Sequence, residues 1–205
     1  MIEGVVFDFG GVMTTSSMPL RLKAVTDGLG LDWRIFADGF ARHRLGYDQG
    51  VVTIKEMYDR ILGEAGVRLD AEARERIERA DTESWLYRNE ETLGLMERLK
   101  AKGLKLGILT NMSPLFAPLF KEHFADFIAL SDALVISGEE RLVKPMPEIY
   151  RLLETRIALK PGALCFVDDL EKNCEAARTC GWRAVRFESV PQVEAELEAR
   201  LAEVE

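Results

Sequence analysis

Three short apolar runs punctuate the chain, and each stops at polar residues. Ile2 to Phe7 halts at Asp8, just before Gly10-Gly11; Leu104 to Leu109 halts at Thr110-Asn111; Ala163 to Val167 halts at Asp168-Asp169. Near-continuous runs of this length, rich in β-branched and aromatic residues, predict buried strands with loops at their carboxyl ends. Asp126 to Leu130 and Arg183 to Phe187 predict two weaker strands.

Between these runs the apolar residues recur at helical spacing. Leu95, Met96 and Leu99 share one face, as do Ile149, Leu152 and Leu153, and again Val193, Leu197 and Leu201. Ser113-Pro114 and Ser189-Val190-Pro191-Gln192 read as helix starts and Gly181 as a helix stop. Strands alternating with helices predict an α/β fold, a Rossmann-like parallel sheet with helices on both faces. From about Thr14 to Arg88 that rhythm fails. No convincing strand occurs there; Trp33, Phe36 and Phe40 share a face, and Thr53-Ile54-Lys55-Glu56 forms a capping box ahead of Met57, Tyr58, Ile61 and Leu62. The expected organisation is a core of residues 1–13 and 89–205 with an inserted all-helical cap of residues 14–88, whose aromatics are read as core.

Composition narrows the functional classes. The 205 residues are 47% hydrophobic and 30% charged, ordinary for a globular chain able to bury a substantial core. The net charge of −8, with no basic block, disfavours nucleic acid as a partner. Cys165, Cys174 and Cys180 lack Cys-x-x-Cys spacing, so they read as reduced core thiols rather than a disulfide frame or a zinc site. No apolar stretch is long enough to span a bilayer and no signal-like run opens the chain, so a cytoplasmic location without membrane contact is expected. No feature selects an oligomeric state.

Ligands of open parallel sheets bind outside the carboxyl ends of the strands, near the point where strand order reverses. Asp8, Thr110-Asn111 and Asp168-Asp169 stand at those ends. Each has an ordinary explanation as a turn or cap residue, and Lys144-Pro145 alone would be a solvated loop. Together they suit phosphoryl transfer. A carboxylate can attack phosphorus, but two anions repel, so a cation and fixed donors must bring them together. Asp168 and Asp169 supply hard oxygen ligands for Mg²⁺, Thr110 a hydroxyl, Asn111 an amide, and Lys144 a point charge for the transferring group.

The ordered set Phe7-Asp8-Phe9-Gly10-Gly11-Val12, Leu109-Thr110-Asn111, Val143-Lys144-Pro145-Met146-Pro147-Glu148-Ile149-Tyr150 and Phe166-Val167-Asp168-Asp169 resembles the haloacid dehalogenase-like hydrolases. It looks closest to the subgroup containing the amino-terminal phosphatase domain of soluble epoxide hydrolase and related sugar-phosphate phosphatases. The resemblance covers essentially the whole chain. It implies a magnesium-dependent hydrolase of small phosphomonoesters with an aspartyl-phosphate intermediate on Asp8. It further implies that Thr110, Asn111 and Lys144 bind phosphate and that Mg²⁺ is held by Asp8, Asp169 and the carbonyl of Gly10, with Asp168 ligating or orienting a metal-bound water.

One position departs from that pattern. Phosphatases of this family usually carry a second Asp two residues after the nucleophile, as acid and base; here it is Gly10. Losing positioned acid–base catalysis costs roughly 10²- to 10⁴-fold. His43, with Tyr47 and Asp48 close behind it, is the nearest cap source of a substitute acid, but the default expectation for this segment is a solvated helix end. Rival readings are a metal-independent haloacid dehalogenase, disfavoured by the Asp168-Asp169 pair, and a non-catalytic phosphate-binding or regulatory module that keeps the site without turnover. A receiver domain has the wrong motif order.

Overall fold

The computed structural model describes residues 1–15 and 20–202. Five parallel strands form one sheet: β1 (Gly4–Phe7), β2 (Lys105–Thr110), β3 (Ala133–Ile136), β4 (Leu164–Asp168) and β5 (Arg183–Arg186), in the order β3-β2-β1-β4-β5. Helices α1 (Leu20–Gly28), α2 (Trp33–Asp48), α3 (Ile54–Glu64) and α4 (Ala71–Ser84) follow β1. The remaining helices are α5 (Glu90–Ala101), α6 (Ala117–His123), α7 (Ala125–Leu130), α8 (Ser137–Glu140), α9 (Pro147–Ile157), α10 (Glu171–Thr179) and α11 (Val190–Ala202).

Side-chain alternation along the strands divides the core between the two faces of the sheet. Val5 and Phe7, level with Leu106 and Ile108 on β2 and with Cys165 and Val167 on β4, pack under α5, α6, α7 and α11. Val6, Leu109 and Phe166 pack under α9 and α10. Because both faces are covered, the strands read as continuous apolar runs. The chain builds outward from β1 to β3, then returns to lay β4 against the other edge of β1. That reversal makes a crevice beyond the carboxyl ends of β1 and β4, where Asp8 and Asp168 stand.

The weak strand expected over Asp126 to Leu130 is instead helix α7, and the edge strand is Ala133–Ile136. Phe120, Phe124 and Phe127, at spacings of four and three, are all fully buried on one helical stripe. Their rings meet at 5.6 Å between successive centroids. Burying each ring contributes roughly 1.5–3 kcal/mol, more than the β-propensity of a five-residue run can oppose. Other boundaries follow local chemistry. Pro191 opens α11, where Ser189 Oγ accepts from the N–H of Gln192 at 3.4 Å, and Gly181, with φ 88°, follows α10. Ser113 caps a turn by accepting from the N–H of Leu115 at 3.1 Å, and α6 begins only at Ala117.

Helices α1–α4 pack around their own apolar cluster, including Leu22, Phe36, Tyr58, Ile61 and Ile77. Phe36 and Phe40 are buried there and Trp33 is partly so. The capping box at α3 forms, with the Glu56 N–H on Thr53 Oγ1 at 3.1 Å and the Thr53 N–H on Glu56 Oε2 at 2.7 Å. The segments that enter and leave this helical unit pair antiparallel at Thr14 and Arg88. Thr15 donates to the Tyr87 carbonyl at 2.9 Å and Asn89 to the Met13 carbonyl at 2.8 Å. Thr92 Oγ1 and Asn89 Nδ2 both donate to the Val12 carbonyl, at 2.7 and 3.1 Å, which fixes the loop after Asp8.

Cys165 and Cys174 are buried thiols and Cys180 is partly exposed, all three unpaired. Burial pushes the Cys165 thiol up to about 11 and the Cys174 thiol up to about 12, which suits packing rather than reactivity. Among the described residues, no helix is long and apolar enough to cross a membrane.

The wall beside Asn111 is built by a close approach of backbones. Gly138 donates to the Met112 carbonyl at 3.0 Å, and a Cβ at 138 would stand 2.6 Å from the nitrogen of Pro114 and 2.7 Å from the carbonyl oxygen of Met112. Backbone atoms cannot yield as a flexible side chain does. Gly138→Ala is therefore expected to destabilise the protein by about 1–3 kcal/mol, seen as a lower urea midpoint with an unchanged denaturant slope.

Candidate active site

Asp8, Asp168 and Asp169 converge at the crevice, with one carboxylate oxygen of each within 4.8 Å of the others. Strand pairing sets this arrangement. Phe7 lies level with Val167, and the Asp8 N–H donates to the Val167 carbonyl at 2.9 Å, so the first residues beyond the two apolar runs emerge side by side.

Lys144 enters from the loop before α9 and is 1% exposed. Its Nζ lies 2.7 Å from both Asp8 Oδ1 and Asp168 Oδ2. Asn111 holds this loop by its backbone, accepting from the Lys144 N–H at 2.8 Å and donating to the Lys144 carbonyl at 3.0 Å. The ammonium of Lys144 also lies over Phe166, with Nζ 5.2 Å from the ring centroid. Asp8 Oδ1 accepts from the Phe9 N–H at 2.7 Å. Asp168 accepts from the Leu170 N–H at 2.9 Å and, on both oxygens, from Asn173 Nδ2 at 3.0 Å.

Burial pushes the Asp8 carboxyl well above its ordinary range; Lys144 pulls it down, and Asp168 and Asp169 push it up again. Burial opposes the charge on Lys144, yet Asp168 and Asp8 outweigh it and hold the ammonium above the usual lysine range. The donor set is all hard oxygen, and Asn173 Oδ1, buried beside it, has no hydrogen-bond partner. An oxygen-rich pocket of three converging carboxylates, with a spare acceptor alongside, fits Mg²⁺ and the waters it retains.

Above these groups lies a cavity of about 440 Å³. The sheet side contributes Asp8, Gly10, Asn111, Lys144, Asp169 and Asn173, and the helical unit contributes Phe40, Arg44, Asp48 and Trp85 among others. Of the residues singled out in the sequence, Asp8, Gly10, Asn111, Lys144 and Asp169 line this cavity, and Asp168 lies directly behind Lys144. Thr110 is buried at the end of β2 and is not part of the lining. His43 is turned to Glu64, with Nε2 2.7 Å from Oε1, and is also absent from the cavity. Contrary to the expectation of a solvated helix end, Tyr47 and Asp48 are both buried.

Arg44, Trp85 and Asn173 were not legible as site residues. Arg44 Nε donates to Asp48 Oδ1 at 2.8 Å, and its Nη1 reaches both oxygens of Asp81 at 2.9 and 3.1 Å. Asp81 also accepts from Tyr58 Oη and Trp85 Nε1, each at 2.9 Å. The guanidinium sits among the rings of Phe40, Tyr47 and Trp85, 5.1–5.3 Å from their centroids. The one local signal was the Arg44/Asp48 spacing of four on an amphipathic helix.

Fold and site together define an α/β hydrolase with an aspartate at the tip of its first strand, and the chain belongs to the haloacid dehalogenase-like hydrolases, whose family model matches residues 2–181. It is 27% identical over 193 residues to Phosphatase MT3486 of Mycobacterium tuberculosis (strain CDC 1551 / Oshkosh), covering 89% of this chain and 86% of that one. It is 30% identical over 141 residues to phosphoglycolate phosphatase of Escherichia coli K12, covering 67% of this chain and 48% of the relative. A match to mouse acyl-CoA dehydrogenase family member 10, 32% identical over 111 residues, covers 52% of this chain and only 10% of that much longer protein. Among solved structures, HAD family enzyme bt-2542 of Bacteroides thetaiotaomicron, in complex with magnesium and inorganic phosphate, superposes with a TM-score of 0.70 at 20% identity, covering 92% and 95% of the two chains. L-2-haloacid dehalogenase of Xanthobacter autotrophicus gives 0.69 at 20% identity, covering 97% and 83%. At such identities these structures establish the fold.

Replacing Arg44 by Met would leave Asp48 and Asp81 buried without their cation, so Arg44→Met is expected to cost about 3 kcal/mol near neutral pH. Even beside Arg44, burial lifts the Asp48 carboxyl to about 6. Between the ordinary Asp range and that value the folded protein binds a proton that the unfolded chain does not, so stability falls as pH rises through the window. In the variant the window extends further upward. The deficit should therefore shrink as pH is lowered through about 6, as urea midpoints at acidic and neutral pH would report.

Proposed function

We propose that this chain is a magnesium-dependent phosphatase that hydrolyses small phosphomonoesters through an aspartyl-phosphate on Asp8. The observation that carries this reading is the buried ammonium of Lys144 bridging Asp8 and Asp168, with Asp169 completing a three-carboxylate cluster at the floor of a cavity between the sheet and the helical unit. The phosphatase names of its relatives support it, as does the magnesium and phosphate complex of the Bacteroides enzyme.

Asp8, Asp169 and the Gly10 carbonyl would hold Mg²⁺, with Asp168 ligating it or orienting one of its waters. When bound, the ion supplies charge neutralisation that lets a phosphate dianion approach a carboxylate. The free oxygen of Asp8 attacks phosphorus. Lys144 and the amide of Asn111 orient the transferring group, and Thr110 supports this loop from the end of β2. Residues 14–88 act as the cap, excluding water and selecting the alcohol portion of the substrate, over a core of residues 1–13 and 89–205. The three clustered carboxylates, a hard-oxygen donor set, speak for a metal-dependent reaction and against metal-independent dehalogenation.

Hydrolysis of 4-nitrophenyl phosphate should require Mg²⁺, disappear on chelation, return on adding the ion back, and fall to background in Asp8→Asn. Acid quenching of the wild type should trap phosphate on the peptide containing Asp8. Activity indifferent to chelation, or undiminished in Asp8→Asn, would overturn the reading. Chloride release from 2-chloropropionate without metal would favour the dehalogenase.

A further inference from the structure

A side chain at position 10 would press against the cap. A Cβ built on Gly10 would stand 3.2 Å from Cζ3 of Trp85, a tight contact, so the indole lies over the backbone where an acid is missing. The indole is fixed in turn: its Nε1 donates to Asp81, Asp81 pairs with Arg44, and Arg44 Nε donates to Asp48. This chain of contacts runs from the vacated position to a second carboxyl lining the same cavity as Asp8 and Lys144.

Asp48 is held to the core as well as to the cap. Its carbonyl accepts from Ser137 Oγ at 2.6 Å, and that same oxygen accepts from the N–H of Met112, next to Asn111, at 2.8 Å. One residue on, Gln49 Nε2 donates to the Arg141 carbonyl at 3.0 Å. The carboxyl-terminal end of α2 is therefore docked against the wall that carries Asn111, and the side chain of Asp48 is fixed relative to Asp8 rather than riding on a free helix.

We infer that Asp48 is the proton donor to the leaving oxygen and the later acceptor of a proton from the hydrolytic water, supplying from the cap what position 10 lacks. The inference rests on the phosphatase reading above. In the first step an Asp8 oxygen bonds to phosphorus and the bond from phosphorus to the ester oxygen breaks. Its electron pair stays on that oxygen, which takes the Asp48 proton and leaves as the alcohol. In the second step water adds to phosphorus, its proton passes to the Asp48 carboxylate, the bond from phosphorus to Asp8 breaks, and inorganic phosphate departs with both carboxyls restored.

The charged groups around Asp48 are Arg44 on its own helix, Asp81 on α4 and Lys144 below. Burial raises the carboxyl, Arg44 lowers it, Asp81 raises it and Lys144 lowers it, leaving it at about 6. That value suits a group that gives and regains a proton near neutrality.

The test compares an alkyl phosphate, whose leaving oxygen needs a proton, with 4-nitrophenyl phosphate, whose leaving oxygen does not, on the magnesium-saturated enzyme by rapid quench. In Asp48→Asn the ratio of alkyl to aryl phosphorylation rates should drop about 10²-fold or more, and Asp48→Glu should recover part of it. In wild type the alkyl rate should fall as pH rises through about 6, a limb absent from the aryl burst. If Asp48→Asn does not fold, that pH comparison and Asp48→Glu decide the matter. An unchanged ratio, or an identical pH limb for both substrates, overturns the role of Asp48 while leaving the phosphatase intact. Absence of any magnesium-dependent nitrophenolate release in wild type overturns both.

Discussion

A single ammonium group 2.7 Å from two buried carboxylates organises this molecule. Lys144 is among the costliest side chains to place in an interior, and it is tolerated because Asp8 and Asp168 meet it there. That meeting requires β1 and β4 to be neighbours in the right register, and Asn111 to hold the Lys144 backbone from the end of β2. Slipping either strand by one residue would turn its terminal carboxylate to the opposite face of the sheet. Sheet order and charge balance are thus mutually dependent: the strands place the acids, and the lysine allows them to be buried.

The same logic recurs on the helical unit of α1–α4 at a smaller scale. Arg44 stands between Asp48 and Asp81 much as Lys144 stands between Asp8 and Asp168. The two clusters face each other across one cavity. Each buries its cation against two carboxylates at once, so neither Lys144 nor Arg44 is an idle positive charge. An anion entering that space would have to redistribute existing charge pairs rather than fill an empty positive pocket.

Most of the sheet was legible because both of its faces are covered, which turns each central strand into an uninterrupted apolar run ending abruptly in chemistry. Asp8, Thr110, Asn111, Asp168 and Asp169 could be named from those endings, and Lys144 only through the motif set it forms with them. The edge was not legible in the same way. Asp126 to Leu130 satisfies a strand pattern as well as a helical one, and only the packing of Phe120, Phe124 and Phe127 against the sheet decides between them. Ala133–Ile136 is only four residues long and runs straight into α8, too short a run to stand out beside Asp126 to Leu130. The residues of the helical unit were hidden for another reason. Arg44 meets Asp81 and Trp85 only in tertiary structure, and Asp48 resembles any acid near a helix end until its burial is known.

Gly10 and Trp85 are in close approach, a Cβ at position 10 standing 3.2 Å from Cζ3 of the indole. The indole is anchored through Asp81, and Asp81 through Arg44, so the room at position 10 is set by helices whose own packing lies outside the sheet. Any side chain placed there would need the ring to give by a few tenths of an ångström, and that displacement would be passed on to the Asp81 and Arg44 pairs. Substitution at position 10 is thus mechanically linked to residues more than seventy positions away in the chain.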